Sequence, residues 1–380
     1  MAMDNQDHRI PVTLLTGFLG AGKTTLLNHL IRDPDAGRIA VIMNEFGEVG
    51  LDHDLIEEST EETILMQSGC LCCTIRGDLL KTLGKLVARR DQGELDFNRV
   101  VIETTGIADP GPILHSLVVD NIVAPHFRMD GVVTLADAAT GARTLDMQFE
   151  AVNQIAMADL VILSKTDLVT AKEISRFETR IDGINGTARR IRAQHGAIPS
   201  GALFGLSAMR PSVTSNDLSA WLGLDQPKAD PLAGLSGFAS KKPAEPVALP
   251  LTGGNAHALH DHRIVSASIE VPDPIPANVF DFWLDTLIAL KGPDILRMKG
   301  IVLVEDMEWP FVFHGVQHIF DAPVPLKTWC GKSATSRVVV IARDMTEEEL
   351  ATSLEILRMQ PKDVDAHTEG MMVHTSEMPR

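Results

Sequence analysis

Eight consecutive positions near the start of the chain carry its clearest chemistry. Gly17-Phe-Leu-Gly20-Ala21-Gly22-Lys23-Thr24 has the residue types and spacing of a phosphate-binding loop. The glycines let backbone N–H groups turn inward around phosphate oxygens. Lys23 supplies a point charge for the β- and γ-phosphates, and the Thr24 hydroxyl is a hard oxygen ligand for Mg²⁺. Ala21 and Thr25 belong to the same nucleotide-binding stretch. A helix opening at Lys23 adds the positive end of its dipole. A glycine-rich turn that merely starts a helix is the alternative, and it leaves the Lys-Thr pair in register unexplained.

Two further segments extend this chemistry. Val101-Ile-Glu103-Thr-Thr-Gly106 is an apolar run ending in a carboxylate. At the carboxyl end of a strand, Glu103 is placed to hold the water shell of Mg²⁺, and Gly106 to offer its N–H to a γ-phosphate. Alone, such a glutamate is as readily a helix cap. Leu163-Ser164-Lys165-Thr166-Asp167-Leu168 ends another apolar run in the form of a guanine-reading N-K-x-D element, with Ser in place of Asn. Asp167 can accept from guanine N1–H and the exocyclic amine. Adenine offers neither donor, so a buried carboxylate there would be left unpaired. The stem of Lys165 can lie over the base, and Ser207-Ala208 is the expected backbone contact to the guanine oxygen. A plain helix cap is the competing reading of Ser164 to Asp167. A P-loop kinase or ATPase is the competing reading of the whole.

Three of the four cysteines fall at Cys70, Cys72 and Cys73. Thiolates suit Zn²⁺ or Cu⁺ and, less commonly, Co²⁺ or Fe²⁺. In an extended segment Cys70 and Cys72 point one way and Cys73 the other, so one ion takes all three only if the chain turns. A fourth ligand must come from elsewhere, and Glu45 is a candidate. Inert thiols, a redox pair and a vicinal Cys72–Cys73 disulfide compete with the metal reading. His257, His260 and His262 form a short imidazole stretch suited to capturing metal, or a solvated polar loop. His53 is read more readily as a surface residue than as a ligand. His314 and His318 lie ~13 Å apart on a strand, too far to share an ion, and the lone Cys330 reads as packing.

The motifs need elements to hold them. Strands are expected at Pro11–Thr16, Ile39–Met43, Val100–Ile102, Gly131–Leu135 and Leu160–Leu163, with a helix from Lys23 to Ile31. Near-continuous apolar strands alternating with helices predict a doubly wound α/β P-loop domain over 8–222. Prolines and glycines crowd 223–262, which reads as a linker. A smaller α+β domain follows over 263–358. Its expected strands are Ile264–Val271, Ile301–Glu305, Phe311–His314 and Val338–Ala342, and its helices Asn278–Leu290 and Glu347–Met359. The tail, 359–380, is expected to fray.

Composition bounds the rest. The chain has 380 residues, 44% of them hydrophobic, and a formal charge of −17. That balance argues against a phosphate-backbone binder, and so against nucleic acid as partner. The start, Met1 to Ile10, is polar and acidic, unlike a signal peptide. No run approaches 18 apolar residues, so no membrane partner is expected. A reducing cytoplasm is the default, and there clustered cysteines read as metal-binding or redox-active.

Taken in order, GFLGAGKTT, NEFGEVGLD, CLCC, ETTGIADP and SKTDL resemble the CobW-type GTPases of the SIMIBI class, a family of metal-handling proteins. Arg297-Met-Lys-Gly300, His314-Gly-Val-Gln-His318 and Ser336-Arg337-Val338 are similar to that family's C-terminal domain, so the resemblance covers most of 10–350. It implies a GTP-hydrolysing metallochaperone that delivers a transition metal to a client metalloprotein. Gly17 to Thr24 would cradle phosphates. Lys23, Glu103 and Glu45 would form the catalytic set, with Glu45 and Glu103 serving Mg²⁺ and the switch regions. Lys165 and Asp167 would read guanine, and Cys70, Cys72 and Cys73 would hold the cargo. Asn44–Gly47 and Cys70–Cys73 would move with the γ-phosphate. Thiolate chemistry leans to zinc, and a cobalt- or nickel-insertion GTPase is the alternative. No arginine finger or catalytic glutamine is evident, so unaided turnover is expected to be slow. A non-catalytic metal buffer or sensor is the reading of another class, and a homodimer is left open.

Overall fold

In the computed structural model the described residues are 7–44, 63–68, 75–208, 213–214, 218, 221–222, 263–317, 319–320, 323–327 and 335–360. The apolar runs of the first part become buried strands: β1 (Ile10–Gly17), β2 (Ile39–Asn44), β3 (Thr63–Ser68), β4 (Arg99–Glu103), β5 (Phe127–Asp137), β6 (Leu160–Ser164) and β7 (Arg189–Arg192). They pair in parallel in the order β3-β2-β4-β1-β5-β6-β7. Helices α1 (Lys23–Arg32), α2 (Ile75–Asp91), α3 (Gly111–Val119), α4 (Gly141–Met147), α5 (Phe149–Ala156) and α6 (Ala171–Asn185) accompany them. Alternate residues of one strand face opposite layers. Val12 and Leu14 join the core that includes Leu83, Ile113, Val152 and Ile181, while Leu15 packs with Leu26 and Leu27 of α1. With both faces covered, near-uniform apolarity is what a parallel sheet requires. A capping box starts α6: Thr170 accepts from the Glu173 N–H, and Glu173 reaches back to the Thr170 N–H.

The second unit is antiparallel. Strands β8 (Ile264–Val271), β9 (Ile295–Val302), β10 (Phe311–Val316), β11 (Ile319–Phe320) and β13 (Ser336–Arg343) run in the order β11-β10-β9-β13-β8, and β12 (Val324–Pro325) pairs with β10. Helices α7 (Ala277–Lys291) and α8 (Glu347–Glu355) complete it. Its core is aromatic, with Phe280 edge-on to Phe311 and to Phe313 at 5.6 Å each.

Several sequence expectations need correction here. The strand expected at Ile301–Glu305 is Ile295–Val302, and Glu305 lies in a turn. Arg297 and Lys299, of residue types ordinarily found at a surface, are both buried in it. The helix expected to continue to Met359 stops at Glu355 and tightens into a 3₁₀ turn over Ile356–Arg358. Strands β3 and β7 were not expected. The Arg-Arg-Ile-Arg sequence of β7 is that of a short, polar edge strand.

Burying those two cations requires an anion from the first unit. Asp159, just before β6, takes Arg297 and Lys299 on Oδ1, the latter at 3.1 Å, and the Val132 N–H on Oδ2 at 3.0 Å. Arg297 also donates to the Met157 carbonyl. Lys299 donates to the Trp221 carbonyl at 3.2 Å and sits 5.0 Å from the Trp221 ring centroid. Burial alone would raise the Asp159 pKa. The positive groups of Arg297 and Lys299 overcome it and hold the carboxyl below its ordinary range. Burial and the neighbouring Arg297 push Lys299 down to about 8 against the pull of Asp159, so it is charged at neutral pH. Apolar residues seal the seam, with Ile264, Leu296, Val316 and Ile341 joining the first unit's core.

Replacing Asp159 by Asn would leave two buried cations without their anion. The expected cost is about 3–5 kcal/mol of stability at pH 7, read by denaturant unfolding. Because the folded carboxyl titrates below its unfolded value, the contribution is complete above about pH 4 and lost as pH falls further. The difference between the parent chain and Asp159→Asn should narrow in acid.

Candidate nucleotide site

The phosphate loop joins β1 to α1. Gly22 at the junction has φ +98°, a left-handed conformation that favours glycine. The Lys23 ammonium is folded onto the loop and donates to the Gly17 carbonyl at 2.8 Å. Thr24, half-buried, stands on the first turn of α1, and Thr25 beside it is exposed. Neighbouring strands brace the loop. The Ser164 hydroxyl at the end of β6 donates to the Ala21 carbonyl at 2.7 Å. At the end of β4, the Thr104 hydroxyl meets that of Thr16 at 2.8 Å, and the Thr104 N–H donates to the Leu15 carbonyl at 2.9 Å. Ser164 thus ties the Ser164 to Asp167 segment to the phosphate loop.

Register places Glu103. It pairs across the sheet with Leu15, so its buried carboxyl sits at the same sheet edge as the loop. Gly106 follows in close contact, since a Cβ there would fall 2.6 Å from the Leu19 nitrogen. A hydroxyl and a carboxylate are the hard oxygen donors that suit Mg²⁺. Thr24 and Glu103 therefore fit that ion by type and by edge.

A groove of about 310 Å³ runs beside the loop. Ala21, Gly22, Thr25 and Leu26 form one wall, Ser164, Lys165, Asp167 and Leu168 another, and Ala193, His195 and Gly196 beyond β7 a third. Lys165 takes a left-handed φ of +54° and donates to Asp137 at 2.7 Å. Burial would raise the Asp137 pKa, but this bond and one from the Ala139 N–H hold its carboxyl below the usual range. Asp167 is exposed at the groove, not buried as the sequence suggested, and lies in a 3₁₀ turn.

Ser207 and Ala208 line no part of this groove. Ala208 packs instead with Trp221, Ile301 and Val312 at the seam between the units. The segment at the groove is Ala193 to Gly196, which follows directly from β7, an unexpected strand. Asp137 was also missed, although a carboxylate ending an apolar run is the signal that flagged Glu103. The expected metal ligands Glu45, Cys70, Cys72, Cys73, His257, His260 and His262 lie outside the described residues, as do His53, His318 and Cys330. Among the described residues no cluster of His, Cys, Asp or Glu could hold a metal ion. No helix among them is long and apolar enough to cross a membrane.

A parallel α/β sheet with a phosphate loop, a strand-end carboxylate and an S-K-x-D groove at one edge is the arrangement of a P-loop GTPase. Residues 11–192 match the CobW/HypB/UreG nucleotide-binding domain, and residues 264–358 the cobalamin synthesis protein CobW C-terminal domain. The chain belongs to the CobW family of GTPases. It is 31% identical over 351 residues to zinc chaperone YjiA of Escherichia coli, covering 92% of this chain and 99% of that one. It is 30% identical to zinc-regulated GTPase metalloprotein activator 1 of Schizosaccharomyces pombe, covering 88% and 83%. The crystal structure of Zn(II)-bound YjiA GTPase matches the fold with a TM-score of 0.68 at 28% identity, over 92% of this chain and 99% of that one.

Two substitutions test the site. Lys23→Ala should abolish GTP turnover and weaken nucleotide binding while thermal unfolding stays unchanged; parental turnover would remove Lys23 from the site. Asp167→Asn should lose charge-assisted bonds worth about 1.5–3 kcal/mol, lowering GTP affinity roughly 10- to 100-fold and relaxing discrimination against xanthine nucleotide. Fluorescent-nucleotide titration reads both.

Proposed function

We propose that this GTPase is a metallochaperone that couples its nucleotide state to binding a transition metal, zinc foremost, and delivering it to a client metalloprotein in the cytoplasm. One observation carries the reading. Strands β2 and β3 pair as far as Asn44 opposite Ser68, and Met43 of β2 pairs with Glu103 of β4. These strand ends, which precede Glu45 and Gly69 in the sequence, lie at the same sheet edge as Glu103 and the phosphate loop. That common edge supports a reading in which the two ligands are coupled. The names of the relatives, zinc chaperone and zinc-regulated GTPase metalloprotein activator, support zinc over cobalt or nickel as cargo.

In this reading Gly17, Gly20, Ala21, Gly22 and Thr25 wrap the phosphates. Lys23 neutralises the β- and γ-oxygens. Thr24 and Glu103 hold Mg²⁺, which when bound offsets charge on the phosphate chain. Gly106 offers its N–H to the γ-phosphate, and Lys165 and Asp167 select guanine. Cys70, Cys72 and Cys73, with Glu45, hold the cargo. His257, His260 and His262 are an auxiliary capture stretch between the two units. Unaided hydrolysis is slow, and the second unit faces the client.

Metal titration with a non-hydrolysable GTP analogue and with GDP tests the coupling. Zn²⁺ affinity should differ at least about fivefold between the two states, and Cys72→Ser should lower it in both. Equal affinities in both states with no GTP turnover would make the chain a metal buffer.

A further inference from the structure

Gln154, on α5, has no part in the site as described. It is 1% exposed, and its side-chain amide donates to two carbonyls of the loop after β4: Gly106 at 3.2 Å and Ala108 at 3.1 Å. This is the loop whose Gly106 packs on Leu19 of the phosphate loop. The far end of α5 belongs to the second unit's contact, because Arg297 reaches the Met157 carbonyl and the Asp159 carboxylate.

The same loop meets the second unit at its exit. Asp109, two residues before α3 begins, accepts from the Gly111 N–H at 2.9 Å. The space beside Gly111 is taken by Gln317, since a Cβ there would lie 2.8 Å from the Gln317 Nε2. Gln317 stands in the turn between β10 and β11 with φ +56°, and its neighbour Val316 packs into the first unit's core. Residues 104–110 are thus held on one side by α5 and at their end by the β10–β11 turn, and both supports connect to the second unit.

We infer that Gln154 and Gln317 are positioning residues that make the 104–110 loop the mechanical contact between γ-phosphate occupancy and docking of the second unit. The inference rests on the reading that Gly106 senses the γ-phosphate. Drawing the Gly106 N–H toward phosphate shifts the carbonyls that Gln154 holds. A buried amide follows its acceptors or loses them. That displacement passes along α5 to Arg297 and through Gly111 to Gln317. Linkage makes the effect reciprocal: whatever shifts the second unit changes affinity for GTP relative to GDP.

The test uses the full chain. Gln154→Met fills the same space without donors, and Gln317→Gly keeps the left-handed turn without the amide. Affinities for fluorescent GDP and for a fluorescent non-hydrolysable GTP analogue are measured on each. Both variants should weaken analogue binding by about fivefold or more, with GDP affinity within about twofold of the parent. A residue that only fills space would move both nucleotides together. If Gln154→Met does not fold, Gln317→Gly decides alone, because it lies outside the GTPase core. An unchanged analogue-to-GDP ratio in Gln317→Gly overturns the inference. A parent chain that binds the two nucleotides alike overturns the γ-phosphate reading and this inference with it.

Discussion

The nucleotide site depends on parallel register. β1 is central, with β4 on one side and β5 on the other, and pairing brings Leu15 level with Glu103 and Gly17 level with Leu135. Parallel strands share a direction, so every segment that leaves a carboxyl end emerges on one side of the sheet. A one-residue slip would turn Glu103 to the opposite face. The Thr104–Thr16 and Ser164–Ala21 bonds lock the strand ends after register has aligned them.

The second unit is attached by a different kind of force. Apolar residues supply area along the seam, but they do not set direction. Asp159, Arg297 and Lys299 do, because each buried charge has few geometries in which its partner is satisfied. Such groups often add little net stability compared with an apolar substitute, while removal of one member is costly. Here the arrangement joins β9 to the root of β6 and the end of α5. It defines which surface of the second unit faces the GTPase domain.

What could be read from sequence follows from locality. The phosphate loop, Glu103 and the Ser164 to Asp167 segment are each local in sequence, and each ends an apolar strand, so type and spacing are enough to place them at one sheet edge. β9 was misplaced because Arg297 and Lys299 look like surface residues until a carboxylate more than a hundred positions away is known to meet them. Sequence points to Ser207-Ala208, not to Ala193–Gly196, for the third wall of the groove because β7 is short and arginine-rich, and lacks the apolar signature of its neighbours. Gln154 carried no signal, since a glutamine on an amphipathic helix ordinarily faces water. Only the tertiary fold shows that its amide is enclosed and spans two carbonyls.

The central place of β1 has a consequence for how the chain is made. Its neighbours lie far along the polypeptide: Val12 pairs with Val100 and Gly17 with Leu135. Parallel pairing across such separations closes large loops and is slow compared with helix formation. During synthesis the phosphate loop emerges well ahead of β4 and β5, and it stays without its flanking strands until β5 has left the ribosome. The ability to hold GTP is therefore acquired late. A nascent chain is protected from engaging nucleotide before the sheet that must respond to it exists.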